Sequence, residues 1–245
     1  MKKIYKKMLV AGAAMALAGV AQAQSAGSNI ISMGWMRVMP QGHSEFLTID
    51  SAPAFTRIPG GTQKPNTGAT IDSVDTLGLT FAHFFTDNIS AEFVMGIPPK
   101  HDVSGDRGYE KYGKLGTVRQ WSPAVVAKWH FFDAKTKFRP YVGIGVNYTW
   151  FTGETVTNQD FINQEFARGS TMTASAKSSW NPVFNIGANY AVTDNWFVGL
   201  SVSYVPISTT ANFTTTLPNN LGKIESHTKI KIDPIVTFLN VGYRF

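Results

Sequence analysis

Five histidines, His43, His83, His101, His130 and His227, are the side chains of this chain best suited to proton transfer or metal ligation near neutral pH. None is followed two residues later by Ser, the arrangement that would set a histidine beside a serine on one face of a strand, and no metal-ligand spacing is present. Cysteine is absent, which removes disulfides and thiolate chemistry. No catalytic, metal or cofactor residue is therefore expected, and the chain is read as a non-enzyme. His83 and His130 lie near strand ends and are assigned to the membrane interface. One charged pair stands out instead: Glu92 and Lys128 share a parity on neighbouring strands, as partners in a structural ion pair would.

The elements that would hold such a pair are read most directly from Phe138 to Phe151. Val142, Ile144, Val146, Tyr148 and Trp150 alternate with Gly143, Gly145, Asn147 and Thr149, a period of two that fits a strand and not a helix. The large apolar side chains share one face, and the opposite face carries only glycine, Asn and Thr. That pattern places lipid outside and a narrow interior inside.

Composition agrees. Charged residues are 16% of the chain, below the roughly 25% of soluble domains, while 13% are aromatic. The net charge of +6 belongs mostly to Lys2, Lys3, Lys6 and Lys7. Without them 18 basic residues face 16 acidic ones, and no basic stripe remains to bind nucleic acid. Those lysines precede an uncharged run from Met8 to Ala21 and then Ala21-Gln22-Ala23, the three parts of a secretory signal. Cleavage is expected after Ala23, leaving residues 1–23 as signal peptide and 24–245 as an exported barrel.

Eight strands are expected. The first runs from Ile30 to Pro40 with Arg37 facing inward. Leu77, Leu79, Phe81, His83 and Phe85 face outward, turn at Thr86-Asp87-Asn88 and return as Ile89, Ala91, Phe93, Met95 and Ile97. The fourth strand carries Trp121, Pro123, Val125, Ala127, Trp129 and Phe131 outward, with Pro123 near the upper rim. The fifth follows from Tyr141. Outward Phe184, Ile186, Ala188, Tyr190 and Val192 then turn at Thr193-Asp194-Asn195 into Trp196, Val198, Leu200, Val202 and Tyr204, repeating the earlier Thr-Asp-Asn hairpin. The last strand runs from Ile235 to Phe245, an aromatic carboxyl terminus suited to the barrel-assembly machinery. Four segments rich in Pro, Gly, Ser, Thr and Asn read as long extracellular loops: 41–72, 100–117, about 152–178 and 207–233, the last with ends that extend the flanking strands. The third holds a short surface helix begun by a Thr157-x-x-Asp160 box. The result is an all-β fold, an eight-stranded antiparallel transmembrane β-barrel with three short periplasmic turns. Trp129, Trp196, Tyr243 and Phe245 supply one aromatic girdle; Trp121, Tyr148, Trp150 and Tyr204 supply the other.

A barrel of eight strands is just wide enough to be filled by side chains or to hold one small ligand, whereas aqueous pores need about sixteen. Gly78, Gly143, Gly145, Gly187 and Gly199 point inward, where they either let aromatic neighbours pack or leave a cavity. Val94, Val126, Val183 and Phe238 would make such a cavity greasy, and Glu92 with Lys128 completes the expected lumen lining.

The signal peptide, Leu77-Gly78-Leu79-Thr80-Phe81, Lys137-Phe138-Arg139-Pro140-Tyr141-Val142-Gly143, Thr209-Thr210-Ala211-Asn212, Asp233-Pro234 and Gly242-Tyr243-Arg244-Phe245 together resemble the outer membrane protein W family, whose close relatives include alkane-uptake proteins. The resemblance implies a Gram-negative outer-membrane location and a hydrophobic channel closed towards the periplasm that passes small apolar molecules sideways into the membrane. Expected partners are outer-membrane lipid and small hydrophobic solutes, with no cofactor. The alternative is a filled barrel that displays its loops to a phage, a bacteriocin or a surface.

Overall fold

Alternate side chains of each long strand meet two different surroundings: Ile144 is 62% exposed on the outer wall while its neighbours Gly143 and Gly145 face in. In the computed structural model, which describes residues 24–245, this alternation is repeated around a closed antiparallel ring. The signal peptide expected over residues 1–23 lies outside the described residues. The strands are β1 (Asn29–Met39), β2 (Leu47–Ser51), β3 (Thr62–Lys64), β4 (Ala69–Ile71), β5 (Val74–Phe84), β6 (Ile89–Gly96), β7 (Lys100–Gly105) and β8 (Lys114–Trp121) in the first half. The second half holds β9 (Ala124–His130), β10 (Phe138–Val156), β11 (Thr171–Ala176), β12 (Ser179–Ala191), β13 (Trp196–Tyr204), β14 (Ser208–Thr216), β15 (Lys223–Lys231) and β16 (Ile235–Arg244).

Eight of them, β1, β5, β6, β9, β10, β12, β13 and β16, pair in that order, and β16 closes on β1 from Ile30↔Arg244 to Met39↔Ile235. Closure removes every edge whose amide groups lipid could not satisfy. The two Thr-Asp-Asn turns are built alike. Thr86 Oγ1 accepts from the Ile89 amide at 3.0 Å and Thr193 Oγ1 from the Trp196 amide at 3.1 Å, while Asn88 and Asn195 donate to the carbonyls of His130 and Arg244.

The four extracellular segments carry strands of their own, which the sequence reading expected only at the ends of the last. β10 has 19 residues, roughly twice the 9–11 that cross a bilayer, so it leaves the membrane and continues upward. Around its upper half β8, β7 and β4 pair on one side and β11, β14, β15 and β2 on the other. The ring is brought round where the Ser44 amide donates to the Ala69 carbonyl (3.1 Å) and the Ala69 amide to Ser44 Oγ (2.8 Å). Thr-rich stretches fold this way because Thr is a strand former that tolerates water: Thr209, Ala211, Thr215 and Leu217 turn in while Ser208 and Thr216 turn out.

Other expectations are also corrected. Arg37 faces outward, pairing with Asp75 directly opposite on β5 at 3.0 Å, and the Trp35 indole donates to the same carboxylate. A charge so placed is tolerated because it lies at the upper end of the strand, near the headgroups rather than at mid-bilayer. The fourth strand is broken at Ser122-Pro123 into β8 and β9. The helix Gln159–Glu165 begins from Asn158, whose Oδ1 accepts from the Phe161 amide at 2.9 Å, one residue after the expected box. It is a surface helix with one face exposed at Gln159, Asp160 and Gln164 and the other, Phe161 and Ile162, buried.

Candidate functional site: two stacked chambers

The interior holds two chambers above a closed floor. The upper one, of about 130 Å³, is lined by Leu47, Ile71, Val103, Leu115, Phe151, Phe161, Met172 and Phe213 together with Thr and Ser side chains, Glu45 and Glu154, and its free surface is almost wholly apolar. The helix closes over it because Phe161 packs edge-on against Tyr109 and Tyr112, with ring centres 5.0 and 5.4 Å away. Tyr112 donates to Glu165 at 2.8 Å, and burial beside that carboxylate drives the Tyr109 phenol pKa upward, keeping it neutral. Beneath lies an apolar waist of Val118, Phe151, Val205, Ile207 and Ile232.

The lower chamber, of about 120 Å³, lies inside the membrane barrel. Inward Val94, Val126, Val183 and Phe238 line it with Glu92, Asn147, Asn185 and Ser203. It also reaches Met95, Ile97 and Trp121, and Met95 and Ile97 belong to the outer parity. The wall is unpaired there. The β6–β9 ladder ends at Val94↔Ala124, and the next bond across this seam runs from the Gln120 amide to the Pro99 carbonyl (3.1 Å). Pro98 and Pro99 have no amide hydrogen to bridge the interval, while Pro123, whose carbonyl accepts from the Tyr148 amide at 3.1 Å, turns its backbone groups to β10 instead.

The floor is polar and full. Lys128 and Glu92 form an ion pair with side chains 5% and 16% exposed, and the ammonium sits 4.3 Å above the Tyr141 ring. Ser90 Oγ and His130 Nε2 are 2.8 Å apart. His130 is thus an interior residue, 2% exposed, and not an interfacial one; His83, half-buried against Asn29, does sit at the strand end. Arg139 donates to the carbonyls of Asp87 (2.6 Å) and Gln24 (2.9 Å). Only about 20 Å³ stays open at this level.

The sequence-selected lumen residues therefore divide. Glu92, Val94, Val126, Val183 and Phe238 border the lower chamber, and Lys128 lies beneath it. Gly78, Gly143, Gly145, Gly187 and Gly199 point inward but leave no free space: a Cβ on Gly78 would meet the Phe238 ring at 2.5 Å, and one on Gly187 the Tyr141 hydroxyl at 2.5 Å. The upper-chamber lining was missed because its strands read as loops; inward alternation such as Ile224, Ser226, Thr228, Ile230 was the available signal. In the belts, Trp196 meets Tyr243 edge-on at 5.0 Å, with Trp129 and Phe245 exposed beside the lower rim. Above, Trp121 stacks on Trp150 at 5.5 Å, Tyr204 is exposed, and Tyr148 touches Trp180, an outward residue the sequence reading omitted along with Trp35.

The model of the OmpW family matches residues 25–245. Outer membrane protein W of Escherichia coli is 33% identical over 242 residues, covering 98% of this chain and all of that protein. Outer membrane protein AlkL of Ectopseudomonas oleovorans is 27% identical over 186 residues, 76% of this chain and 73% of AlkL. The crystal structure of OprG from Pseudomonas aeruginosa superposes with a TM-score of 0.76 at 28% identity, covering 92% of this chain and 99% of OprG.

Proposed function

The chain belongs to the OmpW family of outer-membrane β-barrels, and on that footing we propose that it is a passive conduit for small hydrophobic molecules. The reading rests on the lower chamber, whose lining runs from inward Val126, Val183 and Phe238 to outward Met95 and Ile97 across the proline-bounded interval in the wall. An apolar solute enters the upper chamber, where nearly every surface it meets is hydrocarbon. It passes the waist of Phe151, Ile207 and Ile232 by side-chain movement. The buried Glu92–Lys128 pair and the Arg139 contacts block continued axial descent, so the solute leaves sideways between β6 and β9 into the bilayer. Transfer out of water supplies the drive, roughly 25 cal/mol for each Å² of apolar surface covered, and no energy source is needed.

The test is entry of a labelled alkane into liposomes. Vesicles holding the protein should load faster than protein-free vesicles, and Ala176→Trp, which fills the upper chamber, should return the rate towards the protein-free value. No acceleration by the wild-type protein would sink the conduit and leave display of the extracellular surface as its role.

A further inference from the structure

We propose that the exported chain begins with pyroglutamate, formed from Gln24, and that this neutral lactam is the seal of the barrel floor. The proposal rests on the expected cleavage after Ala23, which would make Gln24 the first residue. An amino-terminal glutamine ordinarily carries a charged ammonium into water. Here Gln24 is 2% exposed, set between the small cavity of the floor and the periplasmic mouth. Its surroundings are basic. Arg139, 1% exposed, donates through one nitrogen to both Gln24 carbonyls, the backbone oxygen at 2.9 Å and Oε1 at 3.4 Å. Lys135, Lys137 and Asp194 line the same mouth. Of the other nearby carboxylates, Asp87 is engaged by the Ala26 amide at 2.9 Å and Asp133 by the Lys135 amide at 2.8 Å.

Two features of Gln24 are thus at odds with an unmodified terminus. Cleavage would set an ammonium on the same residue that the buried Arg139 guanidinium engages, and like charges brought together out of water are costly. The carboxamide nitrogen Nε2 is buried without a hydrogen-bond partner. Cyclisation removes both. The α-nitrogen lone pair attacks Cδ and forms the new N–Cδ bond. The Cδ–Nε2 bond breaks, and its electron pair leaves on nitrogen, which takes the proton shed by the attacking amine and departs as ammonia. No oxidant or co-reactant is consumed. The lactam retains both carbonyl oxygens for Arg139, loses the unpartnered Nε2 and carries no charge.

The intact mass of the full-length protein purified from freshly prepared outer membranes tests this, with amine labelling after unfolding in denaturant. The expected species is lighter by one ammonia than a chain starting at unmodified Gln24, and its terminus does not label. Gln24→Asn, whose lactam would be a strained four-membered ring, should keep a terminus that labels fully. A wild-type mass matching unmodified Gln24, with a labelled terminus, overturns the modification while leaving the cleavage site standing. A mass matching a start at any other residue overturns the cleavage reading and the proposal with it.

Discussion

Lys128 is the residue whose environment is least forgiving. Its ammonium is held by one carboxylate and one ring deep in the barrel, so removing Glu92 strands a buried cation. Glu92→Ala should cost about 3–5 kcal/mol, the usual penalty for breaking a buried pair, whereas the double change Glu92→Leu with Lys128→Leu should regain most of it. Denaturant unfolding in detergent, followed by the heat-dependent gel shift of barrels, reads both. A double variant as unstable as the single one would mean the pair does more than neutralise itself. His101 makes a separate prediction in the extracellular ring. It is 1% exposed, its Nδ1 donates to the Asp72 carbonyl at 2.9 Å, and burial lowers its pKa from 6.5. The unfolded chain therefore takes up a proton at a higher pH than the folded one. Stability should be intact above about pH 6.5 and should fall as pH drops towards the lowered folded value. His101→Gln should flatten that slope in a series of melting temperatures against pH, and an unchanged slope would assign the effect to another group.

Strands were legible in the sequence where their two faces differ in kind. β10, β12 and β16 set Val, Ile and Leu against Gly, Asn and Ser, and the lipid-facing set could be read directly. The upper strands have water outside and a small apolar chamber inside, so polar residues interrupt their pattern and Thr-rich β14 resembles a loop by composition. Arg37 was misplaced because a period of two gives parity but not height, and height decides whether a charge on the outer face is tolerated. The floor pair was legible because Glu92 and Lys128 are charges on adjoining inward positions. The interruption in the wall was not: Pro98-Pro99 read as a strand end and Pro123 as a residue of the upper rim, and only the paired register sets them across one seam. Restoring donors there should close it. Pro98→Val combined with Pro99→Val should lower alkane loading several-fold while leaving the gel shift of the folded barrel unchanged. Undiminished loading would move the exit elsewhere.

As a whole the molecule is two stacked rings sharing one wall, with β10 running through both. A barrel meant only to display flexible segments would leave its extracellular half open to protease. Here the backbone above the membrane is tied strand to strand: Lys229 lies in the β14–β15 ladder, Lys100 pairs across to Arg119, and the Lys231 amide donates to the His43 carbonyl. Protease cuts first where backbone is exposed and weakly bonded, and above the membrane that describes the tips between strands. Arg57, exposed with a left-handed φ of 53° in the turn after β2, and Arg168, between the helix and β11, are such tips. Trypsin applied to intact cells should therefore cut first at Arg57 and Arg168 and spare Lys100, Lys229 and Lys231. The nicked barrel should still load alkane, since its chamber is held by the strands rather than by the turns. Early cutting at Lys229 or Lys231 would mean that the upper ring opens in the membrane, and the enclosed chamber would lose the rigidity a conduit requires.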